Sequence, residues 1–202
     1  MYNLVKEYLA TKDKIGHFIF DYHNFTLYSK IPKDKASKYF SDAINKGDIK
    51  NLYGDFYYNP ASNLLSPYIR DDFLEYLRPN DFFYISHELM LYKYGFLEHP
   101  TMALTVATTG ESEYLDTSEG TIIFRHVNID DLPSLERELL YDSNRGQYVA
   151  TPRIAIHDAL NEGIPFDYPS DKYLTFVEDS IPELYQLPNP NDINYEIYKL
   201  FY

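Results

Sequence analysis

The segment from Pro32 to Gly47 constrains the fold more than any other part of the chain. Its apolar residues recur at helical spacing, with Ala36, Phe40 and Ala43 on one side. Proline suits the first turn of a helix and glycine often ends one, so the flanking residues predict where this helix begins and ends. The remaining side chains are mostly polar and fall on the opposite side. The pattern predicts an amphipathic helix with one packed face and one open face.

The sequence around this helix supplies a characteristic order of elements. Residues 1–11 have helical periodicity, a short apolar run follows at 17–20, and 25–28 is typical of a second helix. After the amphipathic helix, two short apolar runs flank Gly54 and Asp55, which is typical of a β-hairpin. Three helices followed by a hairpin is the order of a winged helix-turn-helix.

We therefore predict an α+β protein of two domains. Residues 1–60 form the winged helix-turn-helix, and residues 61–202 form a mixed α/β domain after a hinge at 59–63. The elements predicted for the second domain are helices at 69–77, 86–94, 151–161 and 193–201, and strands at 82–85, 102–107, 114–115, 121–127 and 147–150. Residues 128–147 are ambiguous in pattern, with a candidate helix at 135–141. The proline-rich stretch before 193 is predicted as loops around short helices.

Charge divides the chain in the same way. The net charge of the whole chain is −13, which alone argues against nucleic acid as a partner. Residues 1–60, however, carry nine lysines and seven acidic residues, a net charge of +2. Residues 61–202 carry nine basic and 24 acidic residues, a net charge of −15. This asymmetry predicts two parts with different partners.

The amino-acid composition limits the cellular compartments and the kinds of binding site that we expect. The chain has no cysteine, so disulfides and thiolate metal sites are excluded and a reducing environment is favoured. Its N-terminus lacks the apolar run of a signal peptide, and no stretch has the roughly 20 apolar residues that span a bilayer. We expect a cytoplasmic protein with no membrane contact.

The open face of the amphipathic helix is the first candidate site. A helix that reads DNA needs a polar face that reaches base edges and phosphates. Asparagine is suited to adenine, and lysine to guanine or phosphate. The predicted contacts to double-stranded DNA are Lys30, Lys33, Lys35, Ser37, Lys38, Ser41, Asn45, Lys46 and Lys50. The alternative for these lysines is a solvated helix face that serves solubility.

Other chemistry finds little support in the sequence. The histidines, including His87 and His157, lie in separate predicted elements and have no metal-ligand spacing, so we expect ordinary surface or hydrogen-bonded residues. No nucleophile elbow and no phosphate-binding glycine loop occurs. We therefore expect no enzyme activity, no cofactor and no metal.

Several motifs in order resemble a known family. These are Lys46–Tyr57 around the hairpin, Tyr84–Gly95 with its "YISH" start, Thr105–Thr109, Phe124–Val127, and Tyr148–Leu160 with its "VATP" start. Together they resemble the AbiEi-like antitoxins of the AbiE abortive-infection toxin–antitoxin systems, over about residues 45–160. In this chain Arg153 stands where the family motif has glutamate after Thr-Pro.

The resemblance implies a function in phage defence. It implies an N-terminal winged helix that binds operator repeats and represses its own operon. It also implies an antitoxin-like second domain that counteracts a nucleotidyltransferase-like toxin without a stable complex. Two alternatives stay open: an acidic protein-interaction module that binds a partner protein without DNA, and a metal-dependent nuclease that would need clustered carboxylates.

Overall fold

The computed structural model describes residues 3–128, 139–167 and 170–184. The chain is a mixed α+β protein that divides into two compact units. The first unit ends at Ile69 and also includes Asp116–Glu119, whereas the second begins at Arg70 and continues after that insertion at Gly120. Within the described residues, no helix combines the length and the apolar character needed to cross a membrane.

The first unit contains three helices and a three-stranded antiparallel sheet. Its sheet has the order β1-β3-β2, with both Ile19 and Lys50 opposite Tyr58. The predicted helices and hairpin are present, and the apolar run at 17–20 contributes the third strand. The elements in chain order are α1 (Asn3–Lys14), β1 (Ile19–Asp21), α2 (Tyr22–Ser29), α3 (Lys33–Asn45), β2 (Lys50–Tyr53) and β3 (Phe56–Tyr58).

The segment predicted as a hinge at 59–63 is packed within this unit. The backbone N–H of Asn59 donates to the carbonyl of Phe18 over 3.0 Å. The Ser62 hydroxyl donates to Oδ1 of Asp13 over 2.8 Å, and the Asn59 amide donates to Oδ2 of the same carboxylate over 3.2 Å. Because these bonds tie the segment to α1, the compact unit extends to Ile69 instead of ending near residue 60.

The second unit is built on a six-stranded mixed sheet with the order β6-β7-β5-β4-β9-β8. Strands β5 and β7 are parallel, as are β4 and β9, whereas β4 and β5 are antiparallel. Helices α5 and α6 pack against each other. The elements are α4 (Ile69–Leu77), β4 (Phe83–Ile85), α5 (His87–Lys93), β5 (Leu104–Thr108), β6 (Glu113–Thr117), β7 (Gly120–His126), β8 (Leu139–Asp142), β9 (Gln147–Ala150), α6 (Pro152–Asn161) and α7 (Asp171–Leu184).

Two sequence predictions in the second unit differ from the structure. The helix predicted at 135–141 is wrong where it can be compared, because Leu139–Asp142 is a strand paired antiparallel with β9. Cross-strand pairing supplies its backbone hydrogen bonds, which overrides local helical periodicity. The tail before 193, predicted as loops around short helices, contains α7, a helix of 14 residues at Asp171–Leu184, and residues 185–192 lie outside the described residues. Residues 129–138 and the helix predicted at 193–201 lie outside the described residues.

Candidate functional site

Packing of α3 decides which of its faces is open. Ala36, Phe40 and Ala43 are buried. The Phe40 ring lies edge-on to Tyr57 with ring centroids 4.6 Å apart, and to Tyr22 with centroids 5.1 Å apart. Edge-to-face pairs at this distance are favourable, so the aromatic cluster fixes the rotation of the helix about its axis.

All the residues predicted to contact DNA are exposed. Lys35, Lys38 and Asn45 follow one another at intervals of three and seven residues, so they form one stripe along α3. Two carboxylates, Asp34 and Asp42, are exposed on the same helix. The full exposed set is Lys30, Lys33, Lys35, Ser37, Lys38, Ser41, Asn45, Lys46 and Lys50.

The connection between α2 and α3 is short and fixed by its backbone. Lys30 adopts a left-handed conformation with φ of 52°, and its N–H donates to the carbonyl of Thr26. Pro32 occupies the N-cap position of α3, and the first helical residue is Lys33. The helix therefore begins one residue later than predicted, since the sequence placed Pro32 in its first turn. This arrangement brings Lys30 and Lys33 to the N-terminal end of α3, where helix geometry favours anions.

The hairpin after α3 is held by side chains as well as by strand pairing. The amide of Asn51 donates to the carbonyl of Gly54 over 2.8 Å and to that of Phe56 over 3.2 Å. Within the same unit, the Ser118 hydroxyl donates to the carbonyl of Asn51 over 2.8 Å. Lys50 on β2 remains exposed, with its ammonium 6.0 Å from the centroid of the Tyr58 ring.

We expect Gly54→Ala to lower the free energy of unfolding by about 1 kcal/mol. Gly54 has φ of +53°, and a Cβ added there would meet no atom within 4 Å, so the cost is backbone strain alone. Urea denaturation measures the loss. Gly54→Asn is the matched control, because asparagine tolerates the left-handed region, and it should cost less. Equal stability of the alanine variant and the wild type would contradict the prediction.

A polar pocket in the second unit was not expected from the sequence. Its cavity volume is about 80 Å³. It brings together three histidines that come from separate elements: the start of α5, the end of β7, and α6. The lining residues are His87, His126, Val127, Asn128, His157, Asp158, Asn161 and Glu162.

His87 is the most unusual residue of this pocket. It is only 1% exposed, and its φ of 56° lies in a region that histidine seldom adopts. Its Nδ1 has no hydrogen-bond partner among the described residues. Burial and, to a smaller extent, the nearby Arg125 cation lower the pKa of His87 to about 3. The imidazole is therefore neutral at physiological pH.

The carboxylate of Asp158 lines the same pocket as His87. Its Oδ2 accepts hydrogen bonds from the Ser86 hydroxyl over 2.6 Å and from the Tyr84 hydroxyl over 3.1 Å. Burial raises the pKa of Asp158, although these hydroxyls oppose that shift. Ser86 occupies the N-cap position of α5, but its hydroxyl bonds to Asp158 on α6 instead of capping the helix.

Arg125 sits between two carboxylates. Its Nη2 lies 2.6 Å from Oε1 of Glu88, and its Nη1 lies 3.4 Å from Oε2 of Glu162. The guanidinium charge is thereby balanced within the protein. Among the residues that the structure describes, no three side chains of the ligating types converge to hold a metal ion.

We predict that His87 makes the protein less stable in acid. Its folded pKa of about 3 lies below the ordinary value of 6.5, so the unfolded chain takes up the proton first as pH falls. The free energy of unfolding should drop by about 2–3 kcal/mol between pH 7.5 and pH 4.5 through this residue. The charged or titrating groups around it are Arg125, Glu88, Asp158, His126, His157 and Glu162.

The measurement is urea denaturation at several pH values on the wild type and on His87→Asn. The difference in the free energy of unfolding between the two proteins at each pH isolates the contribution of His87, because the other titrating groups are present in both. His99→Asn, which removes an exposed imidazole, is the control. Parallel pH dependence of the wild type and His87→Asn would show that the prediction is wrong.

The sequence showed the pairs His87-Glu88 and His157-Asp158 but gave no sign that they meet. The hydrogen bonds from Tyr84 and Ser86 to Asp158, together with the packing of α5 against α6, bring these two pairs together. No protein-family model matches the chain, and no curated protein matches it. Inferences about function therefore rest on the α3 face, the hairpin and the pocket.

Proposed function

We propose that the chain is a DNA-binding, antitoxin-like transcriptional regulator whose first unit is a winged helix-turn-helix. One observation carries this proposal. Helix α3 buries Ala36, Phe40 and Ala43 and leaves a lysine- and asparagine-bearing stripe in solvent. A helix that is packed on one side and polar on the other has the form needed to enter a major groove.

The arrangement of the elements supports the proposal. The order α1-β1-α2-α3-β2-β3, with β1 beside β3, matches that of a winged helix. In this interpretation α3 is the recognition helix and the β2–β3 hairpin is the wing. Lys50, which is exposed on β2, then lies on the strand that would flank the bound duplex.

The chemistry of the exposed set fits two kinds of contact. Asn45 and Lys38 suit base edges, because an amide pairs with adenine and an ammonium with guanine. Lys30 and Lys33 precede or begin α3, where lysine and the helix N-terminus both attract phosphate. The acidic character of residues 61–202 weakens non-specific attraction, but salt screens charges beyond about 8–10 Å.

The proposed regulatory role rests on the motifs that resemble those of AbiEi-like antitoxins. We propose that the chain binds repeated operator sequences upstream of its own operon and represses it. We further propose that the second unit counteracts a nucleotidyltransferase-like toxin. The toxin role is tested in cells: co-expression of the chain with the neighbouring gene product should restore growth that this product alone arrests, and unchanged arrest would refute it.

DNA binding is tested with the full chain by fluorescence anisotropy. A labelled duplex from upstream of the coding sequence is compared with an unrelated duplex of equal length. We expect tighter binding to the upstream duplex, and a logarithm of affinity that falls linearly with the logarithm of salt concentration. Equal affinity for both duplexes, or no binding at about 100 mM salt, would refute the proposal.

A further inference from the structure

A short segment from later in the chain forms part of the first unit. Asp116–Glu119 belongs to that unit, although the rest of it ends at Ile69. We call these residues the clamp segment. They are outside the predicted DNA contacts, and no local sequence pattern places them beside the hairpin that forms the proposed wing.

The clamp segment binds the outer edge of the wing. Strand β2 is the last in the order β1-β3-β2, so one side of its backbone lies outside the sheet. Its pairing with β3 is irregular between Asn51 and Tyr53, which makes Leu52 the additional residue of a bulge. The backbone N–H of Ser118 donates to the carbonyl of Leu52 over 3.0 Å, and its hydroxyl donates to that of Asn51 over 2.8 Å. Ser118 therefore fixes the edge strand where its pairing is irregular.

Glu119 fixes the other strand of the wing. The hydroxyl of Tyr58 on β3 donates to Oε1 of Glu119 over 2.6 Å, and Tyr58 is only 3% exposed. A hydrogen bond to a carboxylate is stronger than one between neutral groups. Burial and the Glu119 carboxylate raise the pKa of Tyr58, so the phenol keeps its proton and remains the donor at physiological pH.

Lys50, the predicted DNA contact on β2, is adjacent to both contacts. It precedes Asn51 in the chain, and it lies opposite Tyr58 in the pairing of β2 with β3. Its ammonium is 6.0 Å from the centroid of the Tyr58 ring. A side chain whose backbone is already held in place loses less entropy when it binds. The clamp segment thus restricts the strand that carries Lys50.

We propose that Ser118 and Glu119 are positioning residues, which hold the wing in its DNA-binding conformation and present Lys50 to a backbone phosphate. This proposal rests on the DNA binding proposed above. The two residues act through Asn51 and Tyr58 and do not touch the duplex themselves. The charge of Glu119 alone has the opposite effect, because a carboxylate repels phosphate and its removal would then strengthen binding.

The test measures the affinity of the full chain for the labelled upstream duplex by fluorescence anisotropy at several salt concentrations. The double variant Ser118→Ala with Glu119→Gln is made in the wild type and in Lys50→Gln. In the wild type we expect affinity to fall by about 5- to 10-fold, and the slope of log affinity against log salt to decrease in magnitude by about 1. In Lys50→Gln the same double variant should change affinity by less than about twofold, because the contact that it positions is already absent.

Controls separate positioning from charge and from folding. Glu98→Gln makes the same charge change at an exposed position in the second unit and should change affinity by less than about twofold. Ser118→Thr keeps the hydroxyl and should retain the affinity that Ser118→Ala loses. Without DNA, the backbone amides of β3 should exchange hydrogen faster in the double variant than in the wild type, because the wing opens more often.

The outcomes distinguish this proposal from DNA binding itself. If the wild type does not prefer the upstream duplex, the proposed function fails and the positioning role fails with it. If the wild type binds, the positioning role alone is overturned by any of three results for the double variant. These are affinity equal to or tighter than that of the wild type, an unchanged salt slope or amide exchange, and an equal loss of affinity in Lys50→Gln.

Discussion

The double substitution Lys38→Glu with Lys50→Glu is expected to lower affinity for the upstream duplex by on the order of 100-fold at about 100 mM salt. Both lysines are exposed, one on α3 and the other on β2. Each change removes a counterion-releasing contact and adds a carboxylate that repels phosphate. The slope of log affinity against log salt should also fall by about 2.

The matched control is Lys14→Glu with Lys172→Glu. It makes the same change in net charge at exposed positions on α1 and α7, outside the predicted contact set. We expect less than about a threefold change, because screened charges act only locally. If both double variants bind equally well, or lose affinity equally, α3 and the hairpin are not the DNA-binding surface.

The substitution Phe40→Ala is expected to destabilise the first unit by about 3–5 kcal/mol. Phe40 is 3% exposed, and its ring packs against Phe20, Tyr22, Phe25 and Tyr57 with centroids 4.6–6.3 Å apart. Removing it leaves a cavity at the point where α3 meets α2 and the sheet. A loss of this size is a large share of the stability of a small domain.

Urea denaturation followed by NMR signals of the first unit measures this loss. Ile44→Ala is the control on the same helix, because Ile44 is 38% exposed and its truncation should cost less than about 1 kcal/mol. DNA affinity should fall for Phe40→Ala wherever the first unit is unfolded. A Phe40→Ala protein as stable as the Ile44→Ala protein would contradict the central role of this ring.

Local sequence patterns predicted the elements that carry strong local signals. The apolar spacing of α3 and the glycine of the hairpin turn both describe short-range geometry, and both elements are present. The helix at Ile69–Leu77 was also predicted with its observed limits. The strand at Leu139–Asp142 was missed because its partner, β9, rather than its own periodicity, decides its conformation.

The two candidate sites also differ in whether a local sequence pattern could predict them. The exposed face of α3 followed from one helix alone, since a 3.6-residue repeat already separates its polar and apolar sides. The pocket could not be predicted in this way, because His87, His126 and His157 are far apart in the chain and meet only when α5, β7 and α6 are assembled. The contacts of Asp158 with Tyr84 and Ser86 span more than 70 residues of sequence.

The sequence by itself determined the packed and open faces of α3 and the order of the helices and strands in the first unit, because helical and strand periodicity are properties of neighbouring residues. Only the tertiary structure decided that the predicted hinge is part of the first unit and that three scattered histidines share one pocket. Those features depend on hydrogen bonds between distant segments, such as Asn59 with Phe18 and Ser86 with Asp158, which no local pattern encodes.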